Sequence, residues 1–326
     1  MFNVGIVGSE GYAVGELFSL LINHPDVILR RVYAPGRAGT VVNDVHPGLF
    51  GERRMEFTDE AKFDDLDVLF ICLQTGASRA FLNTHKLPDN LKVIDFSLEH
   101  RLPTEGVDGG FVYGLPESYR RRICSADRVA VPGCFASSIA IGLIPLAKHL
   151  LLNNEIHIHS VAGKTEAAAR PREGSPLSYN MLFDDFSIYR PFVHPQIDEV
   201  RNTLCDIQKS FQQRLNFIPM RANYARGIYT SIYTECSVEL HTIREMYEEY
   251  YDDHSFIHIV DKFPDVRDIA NTNNCLLHLS KHEGKLLIVS TLDNLLKGAA
   301  GTAIHIMNLM TGLVETTGLR VKSSSF

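Results

Sequence analysis

The segment RVAVPGCFASSIAIGLIPLAKHLL, Arg128 to Leu151, decides how this chain is read. A short apolar run ends at Pro132-Gly133, and a cysteine follows. Ala136, Ile139, Ala140, Leu143, Ile144 and Ala147 then recur at three- and four-residue steps, the period of a buried helical face. Strand, turn, cysteine, helix puts Cys134 at or beside a helix N-terminus. Unpaired amide N–H groups and the positive end of the helix dipole lie there, and both favour thiolate over thiol. Cys134 is therefore a candidate nucleophile at neutral pH. A structural core cysteine is the plainer alternative. Pro145 falls inside the pattern and is expected to kink or restart the helix.

The 326 residues suffice for two domains with separate cores, and 45% hydrophobic with 22% charged residues is ordinary for a globular chain. A net charge of −7 argues against general nucleic-acid or anionic-membrane partners. No apolar run is long enough for a transmembrane helix. The start, MFNVGIVGSEGY, enters a strand without a basic leader, so no signal peptide is expected. Cys72, Cys124, Cys134, Cys205, Cys236 and Cys275 are scattered, with no CxxC or zinc spacing, which fits a reducing cytoplasm.

From the N-terminus, Phe2–Val7 reads as a strand, Gly8-Ser9-Glu10-Gly11-Tyr12-Ala13-Val14-Gly15 as a turn, and Glu16–Asn23 as a helix. In that context the glycines suit a dinucleotide: Gly8 permits the turn and Gly11 lets backbone approach a pyrophosphate at the helix N-terminus, with Ser9 and Tyr12 beside it. The spacing is GxxGxxxG rather than GxGxxG, so an ordinary βα turn stays open. The second strand, Val27–Ala34, ends without the acidic residue that would bind ribose hydroxyls. Arg37 follows instead, which favours the 2′-phosphorylated cofactor NADP with Arg37 on the 2′-phosphate; a solvated arginine is the alternative. Asp67–Cys72, Lys92–Phe96 and Phe111–Pro116 are further strands, and alternating βαβ units predict an α/β fold with a doubly wound parallel sheet.

Beyond Asn153 the rhythm changes. Glu155–Ala162 alternates, which predicts antiparallel pairing with one exposed face. Its His157 and His159 share that face, and paired surface histidines are the commoner reading than a metal site. Arg170–Asp185 reads as a long loop with functional potential, Ile197–Leu215 and Thr242–Tyr251 as helices, and Phe217–Val238, Ser255–Val260, Asn274–Ser280 and Lys285–Ser290 as strands. Asp293-Asn294-Leu295-Leu296-Lys297-Gly298-Ala299-Ala300-Gly301 leads into a last apolar helix.

Four stretches together, VGSEGYAVGELFSLLINHP, VYGLPE, VPGCFAS and STLDNLLKGAAG, resemble the N-acetyl-gamma-glutamyl-phosphate reductases of arginine biosynthesis, most of all the Bacteroides-group form. FIPMRANYARGI is similar to the family segment ending in Arg-Gly-Ile. The resemblance implies a Rossmann-type NADP-binding domain, residues 1–134 with 293–326, and an inserted α+β catalytic and oligomerisation domain, residues 135–292. It implies Cys134 as the nucleophile that forms a thioester from an acyl phosphate, and a histidine that handles the thiol proton. It implies Arg101 and Arg226 as substrate contacts, Asn294 and Gly298 as cofactor contacts from the final segment, and a homodimer or homotetramer.

The departures from the family pattern gather near the expected site. Val131 stands where asparagine is usual, Ala162–Ala168 replaces a glycine-rich loop, and Thr302 stands where glutamine is usual. Of a family His-x-His pair, His194 remains as the candidate acid-base and Gln196 holds the other position. Three readings stay open: reduction of an N-acylated glutamyl phosphate, the same chemistry on another acyl phosphate, and a dinucleotide-binding paralogue with little or no turnover.

Overall fold

The computed structural model describes residues 1–52, 54–103, 110–167 and 186–324. In it the N-terminal apolar run is β1 (Phe2–Val7), followed by α1 (Tyr12–Ile22), β2 (Val27–Tyr33), α2 (Val42–Val45), β3 (Val68–Ile71), α3 (Ala77–Thr84), β4 (Lys92–Asp95), β5 (Phe111–Tyr113), α4 (Pro116–Cys124) and β6 (Arg128–Ala130). The six strands form one sheet in the order β2-β1-β3-β4-β6-β5, and every neighbouring pair is parallel. All four residues of β3 are buried, as an unbroken apolar strand covered on both faces requires. Strand order reverses between β1 and β3, so the glycine turn at the C-terminal end of β1 occupies a topological switch point, where such sheets take their ligands.

The chain then enters α5 (Cys134–Lys148), β7 (Ile156–Ala162), β8 (Ser187–Ile188), α6 (Gln196–Ile207), β9 (Leu215–Arg221), β10 (Ile228–Glu235), α7 (Leu240–Tyr251), β11 (Ile257–Ile259), α8 (Val266–Ile269), β12 (Cys275–His282) and β13 (Lys285–Leu292). These strands make a second, mixed sheet in the order β11-β12-β13-β10-β7-β9-β8. The alternation read in β7 is real, with every second residue buried, but its pairing is antiparallel only to β10 and parallel to β9. The strand expected over Phe217–Val238 is two strands, broken after Arg221. The loop expected over Arg170–Asp185 lies outside the described residues.

The chain divides into two units, Met1–Pro132 with Ala299–Arg320, and Gly133–Gly298 with the residues from Val321. The last helix, α9 (Gly301–Thr311), belongs to the first. The expected boundaries at 134/135 and 292/293 shift to 132/133 and 298/299 for a local reason. The first turn of α5 is hydrogen-bonded to α6, while Asp293 and Asn294 are hydrogen-bonded to Asn271, Arg226 and Gly227, all within the second unit.

Pro145 does not break α5, which stays helical to Lys148. A proline there removes the N–H that would bond the Ile141 carbonyl. Tyr251 Oη of α7 donates to that carbonyl at 2.5 Å, and Tyr247 Oη donates to the carbonyl of Gly142. α5 is buried without interruption from Phe135 to Ala147, so an unmet carbonyl there has no water to turn to. Tyr251→Phe is expected to cost ~1–3 kcal/mol of stability, the penalty for a stranded buried acceptor. Thermal melting reads it as a fall of several degrees, with turnover at 25 °C little changed.

No helix among the described residues is long and apolar enough to cross a membrane. The six cysteines form no disulfide.

Candidate active site

Cys134 is the first residue of α5 and is partly exposed. Gly133 caps the helix with extended backbone, φ −70° and ψ 146°, and Ser137 N–H makes the first intrahelical bond to its carbonyl at 2.8 Å. Two of the amides about this turn have side-chain partners on α6. Gly133 N–H donates to Glu199 Oε2 at 2.9 Å, and Ala136 N–H donates to Gln196 Oε1 at 3.0 Å. Gln196 and Glu199 stand three residues apart on α6, hence on one face of it. The glutamine lies so close under the turn that a Cβ on Gly133 would collide with Gln196 Cδ. Glu199 is buried, so a carboxylate lies against the start of the cysteine helix.

The DNLLKG segment supports the same residue from the other side. Asp293 is fully buried and accepts bonds from the Asn271, Leu295 and Leu296 amides and from the Arg226 guanidinium, Nε at 3.0 Å and Nη2 at 3.3 Å. Asn294 Oδ1 accepts from Gly227 N–H at 2.7 Å, and its amide donates to Thr165 Oγ1 at 3.1 Å. This knot delivers Gly298 against the cysteine: a Cβ on Gly298 would lie 2.7 Å from Cys134 Cβ. The altered loop after β7 joins it, with Gly163, Lys164 and Thr165 amides bonded to the carbonyls of Gly227, Tyr224 and Ala225.

His194 is 6% exposed and boxed by Phe135, Tyr189 and Phe217, whose ring centroids lie 5.4, 5.8 and 5.6 Å from its own. Its Nδ1 accepts the Gln196 amide at 3.4 Å, which leaves its proton on Nε2. Burial, then the charges of Arg190 and Arg221, push its pKa down to about 4. Such a ring is neutral at pH 7 and a weak proton acceptor.

In the first unit the glycine turn is drawn tight. Gly8 has φ +117° and Gly11 φ +106°, both in the region glycine favours, and Gly8 N–H bonds Tyr33 O at 2.9 Å at the end of β2. A Cβ on Gly8 would strike Cys72 O at 2.6 Å. No side chain caps α1, so its first amides, with Tyr12 at their head, suit a phosphate. His46 Nε2 donates to Ser9 O at 2.9 Å and holds the turn from behind. Arg37 is ion-paired with Glu10.

At the end of β4, buried Asp95 accepts bonds from Ser78 Oγ, Ser97 N–H, Ser97 Oγ and His100 Nδ1. Arg101 follows that knot and donates from Nη2 to Phe96 O at 2.9 Å.

These features meet their relatives in sequence comparison. A model of the semialdehyde dehydrogenase NAD binding domain matches residues 3–126, and one of the semialdehyde dehydrogenase dimerisation domain matches residues 134–294. N-acetyl-gamma-glutamyl-phosphate reductases of Parabacteroides distasonis and Bacteroides fragilis are 48% and 46% identical, each over the whole of both chains. The chain belongs to the N-acetyl-gamma-glutamyl-phosphate reductase family. Solved structures outside the family share the fold. Aspartate semialdehyde dehydrogenase II of Vibrio cholerae superposes with TM-score 0.73 at 14% identity, covering 96% of this chain and 98% of that one. Aspartate semialdehyde dehydrogenase of Candida albicans gives 0.66 at 14% identity, covering 95% and 98%. The expected α/β class, a Rossmann-type parallel sheet with a second α+β unit, is thus the class of the reductase family and its fold neighbours.

Within that family frame, the second unit gathers Cys134, Gly298 and Gln196, with His194 beside Phe135. Gly8, Ser9, Gly11, Tyr12 and Arg37 gather in the first unit, with Arg101 at another strand end of the same sheet. Asn294 and Gly298, expected to meet the cofactor, are built into the support of Cys134, and Arg226 is held by Asp293. Glu199, Asp293, His46 and Asp95 were not singled out by sequence. The signals were the Gln196–Glu199 spacing on a helix and the place of Asp293 at the head of the DNLLKGAAG stretch.

The His194 environment has a pH signature. Its folded pKa lies below the ordinary 6.5, so the unfolded chain binds the extra proton first. The contribution is fully present above pH 6.5 and is lost as pH falls toward 4. His194→Phe, which keeps an aromatic ring in the box, is expected to flatten the melting-temperature curve across that window relative to the parent. Parallel curves would show that the ring is not held neutral.

Proposed function

We propose that this chain reduces an N-acyl-γ-glutamyl phosphate to the corresponding semialdehyde and phosphate with NADPH, in arginine biosynthesis, through a thioester on Cys134. The observation that carries this reading is a cysteine at the first position of a buried helix, its backbone fixed by Gln196 and Glu199 and its Cβ backed by Gly298. The closely similar reductases name the N-acetyl substrate. Cys134 Sγ attacks the acyl carbon, the C–S bond forms, and the C–O bond to phosphate breaks. Covalent capture divides a hard reduction into two easier steps, and a thioester accepts hydride far better than a carboxylate. When bound, the reduced nicotinamide supplies that hydride. The resulting hemithioacetal collapses, breaking C–S and returning the thiolate.

The residues present fit a dinucleotide: Gly8 and Gly11 take the positive φ that draws the turn tight, and α1 has no side-chain cap where a pyrophosphate would lie. Arg37 and the absence of a carboxylate at the end of β2 support the 2′-phosphorylated form. Arg101 would hold the leaving phosphate, since a planar guanidinium binds such oxygens in pairs. His194, neutral and enclosed, serves as a hydrogen-bond donor through Nε2 rather than as a store for the thiol proton. The exposed Phe186, Ile188, Phe192 and Val193 near β8 support a homodimer or homotetramer built through the second unit.

The test runs the reaction backwards. N-acetylglutamate semialdehyde, phosphate and NADP are supplied and NADPH absorbance is followed. Phosphate-dependent NADPH formation supports the reading, and its absence with N-acetyl, N-succinyl and aspartyl semialdehydes alike would leave only a dinucleotide-binding protein.

A further inference from the structure

Arg37 is already occupied. Its Nε lies 3.2 Å from Glu10 Oε1, and its Nη2 reaches the same oxygen. The fold builds this pair. Gly8 N–H ties the glycine turn to Tyr33 O at the end of β2, and Arg37 N–H closes onto Ala34 O at 2.9 Å. The two backbones are therefore fixed with Glu10 inside the phosphate turn and Arg37 beside it. Glu10 is a carboxylate in a turn whose task is to receive phosphates.

We propose that Glu10 is a specificity-determining residue that holds Arg37 and competes with the cofactor's 2′-phosphate for it. The inference rests on the NADP reading above. A 2′-phosphate carries about −1.5 to −2 charges and three acceptor oxygens, so it outbids a single carboxylate for the guanidinium but must displace it. A ribose bearing a free 2′-hydroxyl meets no such conflict, because a carboxylate accepts its hydrogen bond. Glu10 thus narrows the gap between phosphorylated and unphosphorylated dinucleotide, and its loss widens it.

The experiment is calorimetric titration of the parent chain, Glu10→Gln, Arg37→Ala and the double variant with adenosine 2′,5′-bisphosphate and with 5′-AMP. Glu10 is exposed and Arg37 partly so, and melting temperatures confirm that each variant folds. Glu10→Gln is expected to tighten the bisphosphate by roughly three- to fivefold at low salt, the scale of an exposed ion pair, without tightening 5′-AMP, and to lose the gain at high salt. Arg37→Ala is expected to weaken the bisphosphate and to abolish the Glu10→Gln effect in the double variant. If Arg37→Ala weakens the bisphosphate but Glu10→Gln leaves it unchanged, the inference fails and the NADP reading stands. A gain that persists without Arg37 also overturns it, since the carboxylate would act by repulsion alone. If Arg37→Ala changes nothing, the NADP reading fails too.

Discussion

Cys134→Ser is expected to lower kcat/KM for phosphate-dependent semialdehyde oxidation on the order of 10³-fold or more, the scale seen when a covalent nucleophile is removed. A serine hydroxyl at this position has no accessible anion at neutral pH, whereas a thiol does. Glu199, Gln196 and Gly298 act on the backbone and Cβ of residue 134, so they place an oxygen as readily as a sulfur. Melting temperature and dinucleotide affinity should therefore match the parent, and the loss should fall on kcat. Steady-state rates of the parent and the serine variant, alongside calorimetric NADP binding, check this. A serine variant with most of its activity would remove the thiol from the chemistry.

Gly298→Ala is the second change with a large expected effect, although it adds one methyl group. That methyl would stand 2.7 Å from Cys134 Cβ and 3.3 Å from its Cα. Neither side can give easily. Gly298 N–H is bonded to Asp293 O at 2.8 Å, and Asp293 is the buried hub of the DNLLKG knot. On the other side the Cys134 backbone belongs to a helix turn capped by Gln196. Overpacking of this kind costs about 1–3 kcal/mol of stability. A 1 Å displacement of a reacting group costs on the order of 10²-fold in rate. The expected result is a fall of that order in kcat with a melting temperature lower by several degrees. Iodoacetamide alkylation of Cys134 should slow in step. A fall in stability with unchanged kcat would show that the glycine serves packing alone.

Much of this was legible in sequence because it is local. Pro132-Gly133 and the helical period after it placed Cys134, and the Gly8 turn followed from a strand, glycines and a helix in immediate succession. What escaped depends on partners far along the chain. Gln196, read as the loss of a histidine, is the cap of a helix that begins 62 residues earlier, at Cys134, and no local pattern joins the two. Pro145 reads as a disturbance in α5, but the Ile141 carbonyl it orphans is met by Tyr251, from another helix altogether. Arg37 read as available to a phosphate because the carboxylate that holds it lies in a different turn. His194 reads from sequence as the candidate acid-base, but a sequence shows a histidine's type and not the walls that set its charge. Phe135, Tyr189 and Phe217 come from separate segments, and together with Arg190 and Arg221 they decide its charge.

The central claim is that an acyl group rests on Cys134 as a thioester. It is tested most directly by giving the protein N-acetylglutamate semialdehyde and NADP without phosphate, then measuring NADPH and intact mass on acid quenching. The account expects a burst of about one NADPH per active chain followed by near arrest, the fingerprint of a trapped covalent intermediate. The mass should rise by one N-acetylglutamyl group, reversed by hydroxylamine and absent in Cys134→Ser. NADPH formed with no mass change, or an adduct that persists in Cys134→Ser, would contradict it.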